Sequence, residues 1–395
     1  MRDKAIEKTP VWLDEASCDL EAFRAHVGRV TEACEYPNAS EIAKNVPIYD
    51  GSKLATRFDD QEFIRDIKGE WHHAFQDGPG IIVIRKAYAD EDLVDAVTEA
   101  LSGIIAEEET SGHARGDHFA KPGTNSRLWN AHEKLAVRDP ELFARYNANH
   151  FIRLASESWL GPAYQITTQV NVVRPGGKAQ VAHRDYHMGF QVEDLLSQYP
   201  ASQHKLSASL TLQGAAAHTD MPLESGPTKL LPYSQGYLPG YLAVLRKPFR
   251  DFFEENYIQL PLNKGDLLFF NPATFHAAGE NRTQNIQRFA NLMQVGSAYG
   301  RSIESVDRAR LVKKLYGPLK ALKENGKLSA REIDDVVAAA AEGYAFPTNL
   351  DLDPPIGGMA PANQQDVMRK ALAEGWDEAK FAAHVDDQVA HKRTH

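Results

Sequence analysis

The sequence predicts a mainly β fold, an antiparallel sandwich or barrel with helical extensions at both ends. Three observations carry that expectation. Short β-rich runs follow one another from about Tyr164 to Val295, separated by Gly, Pro and Asn punctuation. Before and after that stretch the apolar spacing is helical. The 395 residues are 43% hydrophobic and 25% charged, which suits a globular chain with one large core and extensions.

Residues 1 to about 65 are mixed and polar, predicting a helical or irregular extension. Gly78-Pro79-Gly80 then introduces Ile81-Ile82-Val83-Ile84, a β-branched run that reads as a buried strand. Asp90 is placed to cap a helix whose apolar face is Leu93, Val94, Val97, Leu101, Ile104 and Ile105. Thr110 to Asn130 reads as a long loop, and Phe143 to Leu160 as a helix stopped by Gly161-Pro162. The period then becomes two. Strands are predicted over Ile166–Val172, Val181–Phe190, Leu206–Gln213, Lys229–Leu231, Leu267–Phe270 and Gln287–Val295, with a turn at Asn263-Lys264-Gly265-Asp266. After Gly300 the pattern is helical. Ser329 with Glu332 forms a capping box, Gly343 is the expected stop, and a Pro-rich link from Pro347 to Pro361 leads to a last helical stretch. The expected division is an N-terminal extension (1–65), a β domain (66–300) and a C-terminal helical extension (301–395).

The net charge of −10 argues against nucleic acid and anionic membrane as general partners. Two cysteines, Cys18 and Cys34, are too few for a secreted disulfide framework. No apolar h-region follows the first charges, and no run approaches the ~20 residues of a membrane span. A cytoplasmic location is expected.

Three His-x-Asp triplets occur: His183-Arg184-Asp185, His218-Thr219-Asp220 and His384-Val385-Asp386. On a strand, residues i and i+2 share a face and can grip one ion, whereas on a helix they diverge by about 200°. His384 and Asp386 lie in a helical pattern. His218 and Asp220 lie in an apparent loop and read as surface residues. His183 and Asp185 sit in a candidate strand after the Pro175-Gly176-Gly177 turn and are the best-placed pair. Two histidines and one carboxylate on one face of an octahedron are the usual ligands of non-haem Fe(II) oxygenases, leaving positions for a co-substrate and O2. His276, just beyond the Leu267–Phe270 strand and the Asn271-Pro272-Ala273 turn, fits the third position. A 2-oxoglutarate co-substrate would need a fixed cation for its distal carboxylate, and arginine suits bidentate pairing. Arg288, 12 residues beyond His276, is the candidate; Arg282 lies in a loop and reads as solvated.

Other residues have two readings. His187 continues the 183/185 parity and could face the cavity, or could be an ordinary hydrogen-bonded strand histidine. Gln169 and Asn171, and then Ser207, Ser209, Thr211 and Gln213, form polar strand faces. These either meet solvent or line the cavity. In the second case Gln169 and Thr211 would contact 2-oxoglutarate, and Asn171, Gln213 and His187 the substrate. Arg115, Lys121, Arg127, Lys178 and Arg184 could form a basic rim for an anionic substrate, against the simpler reading of scattered solvated charges.

Residues from about Gly80 to Gly300 resemble the phytanoyl-CoA dioxygenase family. The resemblance is carried by Gly80-Ile-Ile-Val-Ile, His183-Arg-Asp185, Glu224-Ser-Gly-Pro-Thr-Lys-Leu-Leu-Pro-Tyr-Ser, Gly265-Asp266, His276-Ala-Ala-Gly-Glu-Asn-Arg and Arg288-Phe-Ala. It implies a double-stranded β-helix (a jelly-roll, cupin-like barrel), an iron triad of His183, Asp185 and His276, and Arg288 for 2-oxoglutarate. The family often has Gly-Ser-His where this chain has Tyr233-Ser234-Gln235, and a small polar residue where Ala278 stands. Related halogenases lack the triad carboxylate, so Asp185 points to hydroxylation of a small molecule with release of succinate and CO2. The terminal extensions could cover the active site or make a homo-oligomer interface. Two other functions fit the same residues: a cupin-type metalloenzyme without 2-oxoglutarate, separated by whether succinate forms, and a non-catalytic binding protein on the same fold, separated by whether metal binds.

Overall fold

The computed structural model describes residues 10–111, 125–355, 357 and 360–393. Ten strands lie among them: β1 (Glu41–Ala43), β2 (Val46–Asp50), β3 (Ile81–Arg85), β4 (Asn125–Leu128), β5 (Gln165–Val173), β6 (Thr211–Ala217), β7 (Lys229–Leu231), β8 (Leu267–Phe270), β9 (Phe275–Ala277) and β10 (Arg288–Gly296). Eight form one mixed sheet in the order β1-β2-β3-β8-β6-β10-β5-β4, parallel only between β2 and β3. β7 and β9 form a second, small antiparallel sheet. The described strands make an open sheet rather than a closed barrel, and helices hold more residues than strands.

The layers follow from side-chain alternation. Along β10, Phe289, Met293 and Val295 turn to one face of the large sheet, where they join Val170, Val172, Leu212 and Phe269 against the helices. The C-terminal helices Arg308–Glu324, Ala330–Ala340, Gln364–Glu374 and Glu378–His391 contribute Leu315, Val337, Met368 and Phe381 to the same core. The opposite face carries Arg288, Ala290, Leu292 and Gln294 toward a cavity. β8 is buried on both faces, which is why its sequence is an unbroken apolar run. Across the cavity, β9 alternates too. Phe275 and Ala277 point outward into a cluster with Phe23, Phe249 and Phe253, leaving His276 to point inward.

Several elements depart from the sequence expectation. Residues 206–209 are the end of a helix, Ala201–Ser209, not a strand. Leu, Ser and Ala alternating there have little intrinsic β preference, and β6 begins only at Thr211. The 181–190 segment pairs through a single bridge, His183 to His276. It then leaves the extended conformation at Tyr186 (φ 57°) and His187 (φ 47°), entering a short 3-10 turn. The 143–160 helix is two, Pro140–Asn147 and His150–Leu160, because the Asn149 side chain accepts from the Phe151 N–H and starts the second one. The N-terminal 65 residues supply β1 and β2 to the large sheet as well as helices at Leu20–Val27 and from Gln61. The helix capped by Ser329 ends at Ala340, before Gly343. Within the expected loop 110–130, β4 occupies 125–128; residues 112–124 lie outside the described ones, as do 356, 358 and 359 of the Pro-rich link. No helix among the described residues is long and apolar enough to cross a membrane.

Candidate metal centre

The two strand-like segments that carry the histidines are locked together by reciprocal backbone hydrogen bonds. His183 N–H donates to the His276 carbonyl at 3.0 Å, and His276 N–H to the His183 carbonyl at 3.1 Å. Directly opposed residues place their side chains close together on one face, and the two imidazole centroids are 4.4 Å apart. Asp185, two residues on, has the same parity as His183, and its own N–H donates to the Pro272 carbonyl. One ligand atom from each of His183, Asp185 and His276 lies within 4.8 Å of the others. His276 Nε2 is 3.3 Å from Asp185 Oδ2, and His183 Nε2 is 3.8 Å from Asp185 Oδ1.

The tautomers are set by the backbone. Nδ1 of His183 is 2.8 Å from the Val181 carbonyl, and Nδ1 of His276 is 2.8 Å from the Thr274 carbonyl. A carbonyl only accepts, so each Nδ1 carries a proton; each Nε2 faces the Asp185 carboxylate, to which a protonated His276 donates at 3.3 Å and beside which a neutral ring offers a lone pair to a metal. Neutral imidazoles with one ring nitrogen hydrogen-bonded and the other free are the form a metal takes. Burial would raise the Asp185 carboxyl, but His183, His276 and the Gln213 amide outweigh it and hold the acid well below its usual range. Burial and the neighbouring His276 push the His183 imidazole down. His276 is buried, whereas the His183 side chain is 36% exposed, so ligand access is from its side. The donor set and tautomers fit a divalent transition metal with open positions, iron included.

Gln213 donates to Asp185 Oδ2 at 2.7 Å. It therefore orients the carboxylate rather than standing free for a substrate. Gln213→Leu should weaken Fe(II) affinity ~10–100-fold, the usual effect of losing such an outer partner. Anaerobic titration with Fe(II) would measure this, and an unchanged affinity would remove Gln213 from the site.

The cavity at the triad has a volume of about 600 Å³. Its wall is polar by register: Gln294 of β10 stands opposite Gln213 of β6, Leu292 opposite Gln169, and Ala290 opposite Asn171 of β5. Gln169 Nε2, Asn171 Oδ1, Gln213 Oε1 and Gln294 Oε1 are buried without hydrogen-bond partners, an arrangement that a polar ligand would relieve. Arg288 is buried beside them. It donates to the Ser225 and Gly279 carbonyls at 3.1 and 3.4 Å, and no carboxylate among the described residues pairs with it. Burial pushes its guanidinium down to about 10, still charged at neutral pH. A buried cation without an acid suits a ligand carboxylate such as the distal one of 2-oxoglutarate.

Other sequence candidates are placed differently. Thr211 and His187 are absent from the cavity wall and face each other at 3.5 Å. The left-handed turn at Tyr186 and His187 ends the strand parity that pointed His187 inward. Ser207 and Ser209 lie in the helix. His218 is not a surface residue: it is 1% exposed, bridges Thr98 and Tyr146 at 2.8 Å each, and burial pushes it down to about 3. His384 and Asp386 lie in the helix Glu378–His391. Of the basic rim, Arg127 lines the cavity and Lys178 pairs with Glu280 at the surface. Arg115 and Lys121 fall outside the described residues. Arg184 is buried. It donates to the Ser234, Gln235 and Tyr237 carbonyls between the Tyr241 and Phe275 rings, so it braces the His183–Asp185 segment from behind. A Cβ at Gly240 would lie 1.9 Å from that guanidinium. Gln294 escaped the sequence reading; its parity with Arg288 was the signal that could have found it.

Residues 77–290 match the profile of the family described as Phytanoyl-CoA dioxygenase (PhyH). No curated protein sequence matches the chain. Solved structures similar to it include the non-heme alpha ketoglutarate dependent epimerase SnoN from nogalamycin biosynthesis (15% identity, 60% of this chain and 84% of that one, TM-score 0.39). SnoN in complex with Fe3+, alpha ketoglutarate and nogalamycin RO matches at 14% identity (64% and 90% covered, TM-score 0.42). The alpha ketoglutarate dependent carbocyclase SnoK from the same biosynthesis matches at 18% (64% and 90%, TM-score 0.42).

Proposed function

The chain belongs to the phytanoyl-CoA dioxygenase family, whose cofactors are iron and 2-oxoglutarate, and from that premise we propose that it hydroxylates a C–H bond of a small molecule. The catalytic unit is residues 66–300 on a double-stranded β-helix plan, with the terminal segments as extensions. His183 Nε2, His276 Nε2 and Asp185 hold Fe(II), and Arg288 anchors the distal carboxylate of 2-oxoglutarate. With O2, iron and 2-oxoglutarate together supply the oxidant for hydroxylation, with succinate and CO2 as co-products.

The protein's own part is binding, orientation and exclusion of water. The Val181 and Thr274 carbonyls fix both imidazole tautomers. His183, His276 and the Gln213 amide together favour the ionised Asp185 carboxylate, and Gln213 aims it. The amides of Gln169, Asn171 and Gln294 offer hydrogen-bonding atoms beside the apolar Ala290, Leu292 and Phe270 of the wall. The observation that carries the reading is that the His/Asp/His donors and an unpaired buried arginine converge on one cavity.

Protein loaded anaerobically with Fe(II) and then given 2-oxoglutarate and O2 should form succinate, and omission of either Fe(II) or 2-oxoglutarate should stop it. Oxygen consumption without succinate would sink the 2-oxoglutarate reading in favour of a cupin-type metalloenzyme.

A further inference from the structure

The cavity is electrostatically lopsided. Among the described residues four arginines line it, Arg127, Arg184, Arg250 and Arg288, against one carboxylate, Asp185, in a chain of net charge −10. Three have an account. The Arg184 guanidinium is taken up by backbone carbonyls behind the ligand segment. Arg250 donates to the Val244 carbonyl. Arg288 is assigned above to the co-substrate.

Arg127 remains. No side chain among the described residues makes a hydrogen bond or ion pair with it, and its Nε is buried without a partner. Its guanidinium carbon lies over the face of Trp129, 5.1 Å from the ring centroid. The acid whose charge it senses, Glu304, directs one oxygen to the Asn130 N–H, and burial pushes that carboxyl up to about 7. No ion pair joins Glu304 to Arg127 among the described residues.

Register places Arg127. It stands opposite Asn171 on β5, which stands opposite Ala290 on β10, so Arg127 shares the cavity face with Arg288. Two strand spacings and two residues of rise separate the two backbones, about 12 Å from ~4.8 Å and ~3.4 Å steps. Arg127, His183 and Tyr186 line the same cavity, and His183 is the more exposed of the two histidines in the triad. The same side is apolar: Val181 and Phe190 line the cavity yet are 62% and 58% exposed, and Trp129 and Ile303 join them. Exposed apolar surface at a cavity mouth marks a site that a ligand covers.

We propose that Arg127 is the specificity residue for the substrate to be oxidised, binding a carboxylate on an apolar skeleton that rests on Trp129, Val181, Phe190 and Ile303. The proposal builds on the 2-oxoglutarate reading. A single planar guanidinium matches one carboxylate bidentately. A polyphosphate handle would need several cations, whereas Arg184 and Arg288 are held by backbone carbonyls and Arg250 gives its Nε to Val244.

The test uses protein loaded with Mn(II) and saturated with 2-oxoglutarate under nitrogen. Decanoate, decanamide and decyl phosphate are titrated calorimetrically into wild type and Arg127→Met. Decanoate should bind wild type about tenfold or more tighter than the uncharged amide, the scale of a charge-assisted pair. In Arg127→Met that ratio should fall to about one, with 2-oxoglutarate affinity and Tm unchanged. Several results overturn the proposal: no decanoate binding, no preference over the amide, or a preference that survives the substitution. Tighter Arg127-dependent binding of decyl phosphate would reassign the site to a phosphate and overturn it too. Loss of 2-oxoglutarate affinity in Arg127→Met would move Arg127 to the co-substrate. Failure of wild type to bind 2-oxoglutarate at all would instead defeat the reading beneath it, which separates the two failures.

Discussion

Asp185→Ala should lower Fe(II)-dependent turnover by about 10³-fold or more, beyond the ~10–100-fold that loss of an outer partner costs. Among the described residues the carboxylate is the one anion lining the cavity, and it faces both Nε2 atoms. Without it, two neutral imidazoles remain to hold a dication beside several arginines, and the Gln213 amide loses its acceptor. The fold should survive, because Asp185 contributes no apolar packing. The position of its segment is set by backbone bonds to Pro272 and His276 and by the Arg184 contacts behind. Iron content after anaerobic loading, succinate formation and Tm should be read together. An iron-replete, fully active Asp185→Ala protein would end the assignment of the triad.

Arg288→Met should raise the KM for 2-oxoglutarate about 10²-fold, since truncating one partner of a buried charge pair costs ~2–5 kcal/mol. The opposite sign is expected for the ligand-free protein. There Arg288 is a desolvated cation with no acid partner among the described residues, so an apolar side chain of similar length removes an uncompensated charge. Tm without ligand should stay level or rise, while the upward shift of Tm produced by saturating 2-oxoglutarate in wild type should vanish. A KM unchanged by the substitution would detach Arg288 from the co-substrate. Metal binding should be unaffected, which distinguishes this variant from Asp185→Ala.

The sequence was most legible where a side-chain period was long or a turn was chemically obvious. β3, β5, β8 and β10, the helix capped by Asp90 and the capping box at Ser329 all lie where the pattern puts them. In the small sheet β7 lies where the pattern puts it, whereas the three residues of β9 are too few to show alternation. β1 and β2 were lost in a polar segment whose apolar residues are scattered. The Ala201–Ser209 helix has no apolar stripe to betray it, so its small residues imitated a strand. Among site residues, i and i+2 parity was enough to bring His183 and Asp185 together, and it failed at His187 because nothing nearby announces positive φ at two successive non-glycine residues. The same parity should have turned Arg184 away from the rim. His218 was misread because its burial depends on Thr98 and Tyr146, over 70 residues distant in the chain.

The β10 strand is paired along both edges, over nine positions with β5 and seven with β6. A slip of one residue in either ladder would exchange its two faces. Phe289, Asn291 and Met293 would then project among the ligands, and the guanidinium at 288 would be driven into the oily helix layer. Phase along one strand thus separates an anion receptor from an inert slab, and insertions or deletions inside 288–296 should abolish co-substrate recognition even in variants that still fold.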